Sequence, residues 1–296
     1  MEVVFLSFSR LLFTKKLHLV KCFLCGTIIC VTLFGALALE ARESNTLVIA
    51  GTGDSQEILR KLAVQYALIH PNSNISVPDS IGSSGGIKAL LSGKVDIART
   101  ARLFSSEEMT GYQQLLFAIS PIVFAVNQSV QRVSSLTEAQ IVKIYSDRIK
   151  NWQVVGGGNN KIYSLGREVG DSSLAVLEKK FPGFNTLPLP KQFYFTVQDM
   201  ANAIKSHKHT IGFLPLSTAK NFQLRVLNID NVSPSEKNTL SERYPYVSNL
   251  YLATKKNPSV KVKTFLNFLL STKAKTIMKE NGVYPFLEES KVEKLK

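Results

Sequence analysis

A chain of 296 residues is long enough for two packed lobes, each burying a core of its own. With 45% apolar and 20% charged residues it has the make-up of a globular protein, which excludes a chain that stays disordered throughout. The net charge of +14 favours anionic surroundings (small anions, acidic lipid headgroups or nucleic acid) without choosing among them.

The N-terminus reads as an export signal. Arg10, Lys15, Lys16 and Lys21 precede an uncharged run from Cys22 to Leu39, and Ala36-Leu37-Ala38 has the small-x-small pattern of a cleavage site. A basic flank, an apolar core and an A-x-A end predict a signal peptide over 1–38. An uncleaved membrane anchor is the competing reading for an apolar run of this length. Lys21, Leu24 and Ile29 precede the three cysteines, so no lipoprotein-type site is present in this run. Cys22, Cys25 and Cys30 all lie in this segment, which leaves the mature chain no disulfide and no thiolate metal site.

Beyond the signal, strand-like and helix-like patterns alternate. Thr46 to Ala50 is apolar and β-branched, and Gly51-Thr52-Gly53 breaks it. Ile58, Leu59, Leu62, Ala63, Tyr66 and Ala67 then recur at helical spacing, with Asp54 and Ser55 as candidate N-caps and Pro71 ending the helix near His70. A second unit has a strand at Ile75 to Val77, a loop Gly82-Ser83-Ser84-Gly85-Gly86, and a helix carrying Ile87, Leu90 and Leu91 that ends at Gly93. A third runs from Lys161–Leu165 through Gly166-Arg167 and Gly170-Asp171-Ser172-Ser173 into a helix with Leu174 and Leu177 that stops before Pro182. Three strand–loop–helix units among other strands predict an α/β fold.

The chemistry falls at those three loops. The first turn of a helix leaves backbone N–H groups without partners, and the helix dipole adds partial positive charge there. Small residues let an anion approach closely, and serine hydroxyls add donors. Any one Gly-Ser loop is ordinary capping; three in one chain, one with Arg167, point to an oxyanion site, because the guanidinium fork suits a tetrahedral anion.

Several stretches carry a family resemblance. Gly51-Thr52-Gly53-Asp54-Ser55, Ser80 to Leu90, Gly93-Lys94-Val95-Asp96-Ile97-Ala98, Leu136-Thr137-Glu138-Ala139-Gln140-Ile141, Ile149-Lys150-Asn151-Trp152 and Arg167 to Ser173 follow one another as in the phosphate-binding subunits of phosphate ABC transporters. The resemblance implies a type II periplasmic-binding-protein fold: two α/β lobes joined by two crossing segments, with a ligand cleft between them. Lobe 1 would comprise 45–124 and 213–296, and lobe 2 would comprise 125–212. The crossings would fall at Phe117–Asn127 and Thr210–Pro215. It also implies a periplasmic monomer without cofactor or metal, whose partners are inorganic phosphate or a related oxyanion and the transporter's permease subunits. Carried over by position, the ligand-binding residues are Ser55, Gln56, Ser83, Arg167, Asp171, Ser172 and Ser173. Asp171 stands where the family usually has Ser. Ala101 stands where phosphate specialists place an Asp that accepts the proton of bound phosphate, so the choice between phosphate and sulfate is open, with Asp171 or Asp54 as substitute acceptor. An envelope phosphate sensor or surface binding protein without transport is the alternative role.

Enzyme readings have less behind them. The Gly82–Lys88 stretch lacks the spacing of a nucleotide P-loop, and no G-x-S-x-G elbow occurs. His207 and His209 would share one face if extended, but no third ligand accompanies them. Nucleic-acid binding has only the net charge in its favour. The apolar positions Val262, Phe265, Leu266, Phe268, Leu269 and Leu270 read as a core-facing helix, and Trp152 as a packing residue under Gly156-Gly157-Gly158.

Overall fold

The computed structural model describes residues 46–188, 192–288, 290 and 292. The expected signal segment lies outside the described residues. The chain opens with β1 (Thr46–Gly51), a 3-10 turn over Gly53–Ser55, α1 (Gln56–Ile69), β2 (Asn74–Ser76), α2 (Gly82–Leu91), β3 (Ile97–Thr100) and β4 (Tyr112–Val126). Then come β5 (Ser135–Leu136), α3 (Glu138–Tyr145), β6 (Tyr163–Ser164), β7 (Gly166–Arg167), α4 (Ser172–Lys180), β8 (Phe193–Tyr194), α5 (Val197–Ser206) and β9 (Thr210–Pro215). Last are α6 (Leu216–Asn221), β10 (Arg225–Val226), β11 (Asn228–Ile229), α7 (Glu236–Leu240), β12 (Val247–Lys255), α8 (Val260–Leu270), α9 (Thr272–Glu280) and β13 (Tyr284–Pro285).

The main sheet has the order β2-β1-β3-β12-β4-β9-β6, with β10 and β13 also paired to β4. β1 runs parallel to β2 and β3, whereas β12 is antiparallel to β3 and β4. β4 organises the rest. From Tyr112 to Pro121 it pairs with β12, and from Ile122 to Val126 it pairs with β9. Proline has no N–H to donate to a ladder, and the change of partner falls at Pro121. The second half of β4 is buried at every residue, as expected of a strand covered on both faces.

Apolar side chains gather in two main buried clusters. One takes Leu47, Ile49, Leu59, Leu62, Phe117, Leu252, Phe265 and Leu269. The other takes Ile122 to Val126, Ile141, Trp152, Leu177, Met200, Ile211, Phe213 and Tyr246. The stretch Phe117–Asn127 therefore falls on β4 from Phe117 to its end at Val126 and on the residue after it, and Thr210–Pro215 is β9. One boundary differs from the sequence expectation. Leu214, Leu216, Ala219, Leu227, Ile229, Tyr244 and Tyr246, all beyond 213, pack in the second cluster, and the chain returns to the first only at Leu250. The cause is β10, which pairs with the far half of β4 and holds this stretch against it.

Helix α8 buries Val262, Phe265, Leu266, Phe268 and Leu269 on one face, and Tyr66 of α1 meets the rings of Phe265 and Phe268 edge-on. Trp152 is buried beneath Gly157, where a Cβ would sit 2.9 Å from the Trp152 Cβ, and its indole N–H donates to the His209 carbonyl at 3.0 Å.

Helix α2 begins at Gly82, so the expected Gly-Ser loop forms its first turns. Two hydrogen bonds start it early: Ile81 N–H donates to the Gly51 carbonyl (3.1 Å) and Gly82 N–H to the Ser80 hydroxyl (3.3 Å). Glycine is a poor helix former, but packing requires it here. A Cβ on Gly86 would lie 2.6 Å from the Gly51 Cα, and one on Gly51 would lie 1.9 Å from the Arg99 carbonyl oxygen. The backbone contact sets the start of α2 against the end of β1.

Candidate functional site

The end of β1, the start of α2 and the start of α4 meet at one point. Thr52, the first residue after β1, has its hydroxyl 2.9 Å from that of Ser172 and accepts the Asp54 N–H at 3.3 Å. Asp54 is buried. Its two carboxyl oxygens accept the hydroxyls of Ser173 (3.2 Å) and of Ser248 on β12 (2.8 Å).

Asp171 caps α4 by accepting the Leu174 N–H at 2.9 Å, and its other oxygen lies 2.9 Å from Nη2 of Arg167. Arg167 is 3% exposed. Its Nε donates to the Tyr194 carbonyl (2.9 Å) and its Nη2 to the Phe195 carbonyl (3.1 Å), so the β7–β8 pair fixes the fork in place. Glu168 stands 3.4 Å from Nε. The remaining nitrogen, Nη1, is buried without a hydrogen-bond partner among the described residues.

These groups border a cavity of about 220 Å³ walled by Thr52, Gly53, Ser83, Arg167, Asp171 and Ser172, with Ser80, Glu168 and Phe195 completing it. Burial pushes the Asp171 carboxyl up to about 7 against the opposing pull of Arg167, and the nearby Asp54 charge adds to the rise. Asp54 is also raised by burial, which outweighs the Ser248 hydrogen bond and the Arg167 charge. Both carboxyls therefore hold a proton to higher pH than an ordinary aspartate.

Of the residues singled out in the sequence, Ser83, Arg167, Asp171 and Ser172 line this cavity, and Ser173 lies just behind it on Asp54. Ser55 and Gln56 do not join them. The 3-10 turn over Gly53–Ser55 rotates Ser55 inward, where its hydroxyl is buried without a hydrogen-bond partner among the described residues. Gln56 turns the same way and accepts from Arg99 Nη2 at 3.3 Å. The hydroxyl that this loop presents is that of Thr52. Neither Asp54 nor Ser55 caps α1 with its side chain, because the Thr52 hydroxyl caps the preceding turn.

Thr52, Glu168, Phe195 and Ser248 are site residues that sequence reasoning missed. Thr52 had a signal, being the first hydroxyl after the strand. Ser248 had none, since it reaches Asp54 from across the fold. Ala101 lies at the rim, its N–H donating to the Ser83 hydroxyl at 3.0 Å. His207 and His209 face backbone and Ser129 instead of each other, and no group of three His, Cys, Asp or Glu among the described residues is placed to hold a metal ion.

Residues 38–273 match the family model of the PBP superfamily domain. The chain is 27% identical over 247 residues to the phosphate-binding protein PstS of Borreliella burgdorferi, covering 79% of this chain and 88% of that protein. It is 25% identical over 254 residues to the phosphate-binding protein PstS of Bacillus subtilis, covering 83% and 82%. A solved structure from Clostridium perfringens, described as a phosphate ABC transporter substrate-binding protein with bound phosphate, superposes with a TM-score of 0.70 at 22% identity, covering 81% of this chain and 99% of that one.

Proposed function

The chain belongs to the PBP superfamily and has the type II periplasmic-binding fold, and from that premise we propose that it is an exported solute-binding protein that holds inorganic phosphate and delivers it to the permease subunits of an ABC transporter. The observation that carries this reading is Arg167 on the cavity wall, its buried guanidinium leaving Nη1 without a partner among the described residues. An unsatisfied charged donor in a dry site costs free energy until a ligand meets it, and an oxyanion is the ligand that fits a guanidinium fork. The starts of α2 and α4 add the backbone amides of Ser83, Ser172 and Ser173. Hydroxyls of Thr52, Ser83 and Ser172 rotate to donate. Relatives named as phosphate-binding proteins make phosphate the anion of choice.

The cavity sets a condition on its ligand. Arg167 faces Glu168 and Asp171, with Asp54 behind, so carboxyls outnumber the cation. An anion that still carries a proton donates it to one of these groups, whereas fully ionised sulfate has none to give. In this proposal Asp171, at the ligand-facing wall, is the acceptor that Ala101 does not supply. The two buried clusters serve as the cores of two lobes, and a ligand touching Thr52 and Ser83 on one side and Arg167 and Ser172 on the other favours the closed form. The protein acts by binding and release, as a monomer, without turnover of the ligand.

Calorimetric titration of the mature chain with phosphate and with sulfate tests the reading. Phosphate is expected to bind and sulfate to bind at least tenfold more weakly, with the gap narrowing in Asp171→Asn. No heat with phosphate at any pH from 5 to 8 overturns the assignment.

A further inference from the structure

The cavity at Arg167 opens into a larger groove of about 520 Å³, with Ile81, Gly82, Ser83, Gly170 and Ser172 bordering both. The Thr52–Ser172 and Asp54–Ser173 hydrogen bonds hold the two sides together at the inner cavity, and the groove persists beyond them. The two spaces differ in charge. The inner one contains Arg167 with Glu168 and Asp171. Among the described residues the groove is bordered by Arg102, Lys179 and Lys180 and by no Asp or Glu. Ala101 lines the groove, its N–H donating to the hydroxyl of Ser83, which borders both spaces.

We propose that the cleft takes extended phosphoryl compounds, with one phosphoryl group at Arg167 and a second anionic group in the groove on Lys179 and Lys180. This rests on the reading of the inner cavity as a phosphate site. The groove runs along α4, and a rise of ~1.5 Å per residue puts the Lys179 Cα roughly 10 Å from that of Ser172. Helical side chains lean toward the N-terminus, so the lysine heads reach part of the way back. The span fits a short polyphosphate or an organic bisphosphate, and a space of this size is ordinary for such ligands. Tyr251 and Val247 give the groove an apolar wall against which an organic linker packs.

The cations are not all committed elsewhere. Arg102 is held by Glu108 at 2.9 Å, and Lys180 donates to the Pro245 carbonyl at 3.0 Å, while Lys179 is exposed at the groove edge. Burial and the adjacent Lys179 charge hold Lys180 below its ordinary value. A second anion relieves that repulsion. A lysine pair in the last turn of a helix also suits the helix dipole, so the test must separate ligand binding from helix stability.

Isothermal titration at fixed ionic strength compares phosphate, tripolyphosphate and fructose 1,6-bisphosphate on the wild type, Lys179→Glu and Lys179→Ala. The extended ligands are expected to bind the wild type about tenfold tighter than phosphate, and each substitution to weaken them about tenfold while moving phosphate less than twofold. The arm with the larger gain identifies the inorganic or the organic source. Extended ligands no tighter than phosphate, or losses equal for all three, overturn the proposal and leave the phosphate reading standing. Binding of an extended ligand without any binding of phosphate overturns that earlier reading and leaves the groove assignment standing.

Discussion

Arg167 and Asp171 form a buried ion pair at 2.9 Å, four residues apart, with the helix cap made by the same carboxylate. The pair engages Nη2, and Nη1 is the nitrogen left buried without a hydrogen-bond partner among the described residues. Asp171 thereby caps α4, aims Arg167 and presents a carboxyl with a raised proton affinity at the cavity wall.

Removal of Arg167 should therefore affect both binding and folding. Arg167→Ala is expected to lower phosphate affinity by roughly 100-fold, the worth of a charge-assisted contact to an anion. It also leaves a buried carboxyl without its partner, which costs about 3 kcal/mol. That cost should shrink at acid pH, where Asp171 takes up a proton instead. Titration calorimetry gives the first effect, and urea melts at pH 5 and pH 8 give the second. A stability loss of equal size at both pH values would show that the pair is not what the substitution breaks.

The pH dependence of stability follows from the direction of the Asp171 shift. Its folded value is raised to about 7 from 3.8. Folding then favours the protonated form, so this group's contribution is fully present below pH 4 and is lost as the pH rises through 7. Asp54, raised by the same cause, contributes with the same sign. Asp171→Asn keeps a good capping side chain but removes the titration. Urea midpoints of ligand-free protein from pH 4 to pH 8 should fall more steeply for the wild type than for Asp171→Asn. Parallel curves would rule out a raised Asp171.

Gly86→Ala tests how the site is held together. The new Cβ would press on the Gly51 Cα at 2.6 Å and on the Ala50 carbonyl at 2.9 Å, and both are backbone atoms that cannot rotate away. Overpacking of this kind costs about 2 kcal/mol. Because the shift falls between β1 and the start of α2, phosphate affinity should drop along with the melting temperature, although residue 86 touches no ligand. An unchanged affinity would separate this contact from the site.

The parts of this arrangement that were legible in the sequence are local ones. Arg167 stood out because a cation beside a Gly-Asp-Ser-Ser helix start has an obvious electrostatic use, and the α/β pattern followed from alternating periodicities. The misplaced residues fail for identifiable reasons. A single 3-10 turn moves the presented hydroxyl from Ser55 to Thr52, a shift that no propensity encodes. The Gly82–Gly86 stretch looked like a loop because glycine disfavours helix, yet the contact between Gly86 and Gly51 can be made only without side chains. The return of the chain to the first core waits until Leu250 because β10 pairs with β4, a contact between segments about 100 residues apart.

Ser248 is the plainest case of a residue that only the fold could reveal, and its removal gives a prediction with a definite sign. From β12 its hydroxyl donates to Asp54 at 2.8 Å, and it is the largest influence holding that carboxyl down against burial. In Ser248→Ala the ionised Asp54 loses one of its donors, so its proton affinity rises further. The penalty is larger for the charged form, so the loss, about 1–2 kcal/mol, is expected to be greater at high pH than at low pH. Melts at pH 5 and pH 8 should therefore diverge from the wild type more on the alkaline side. Ser248→Thr, which keeps the hydroxyl, should restore most of the difference, and a penalty independent of pH would instead mark Ser248 as a packing residue.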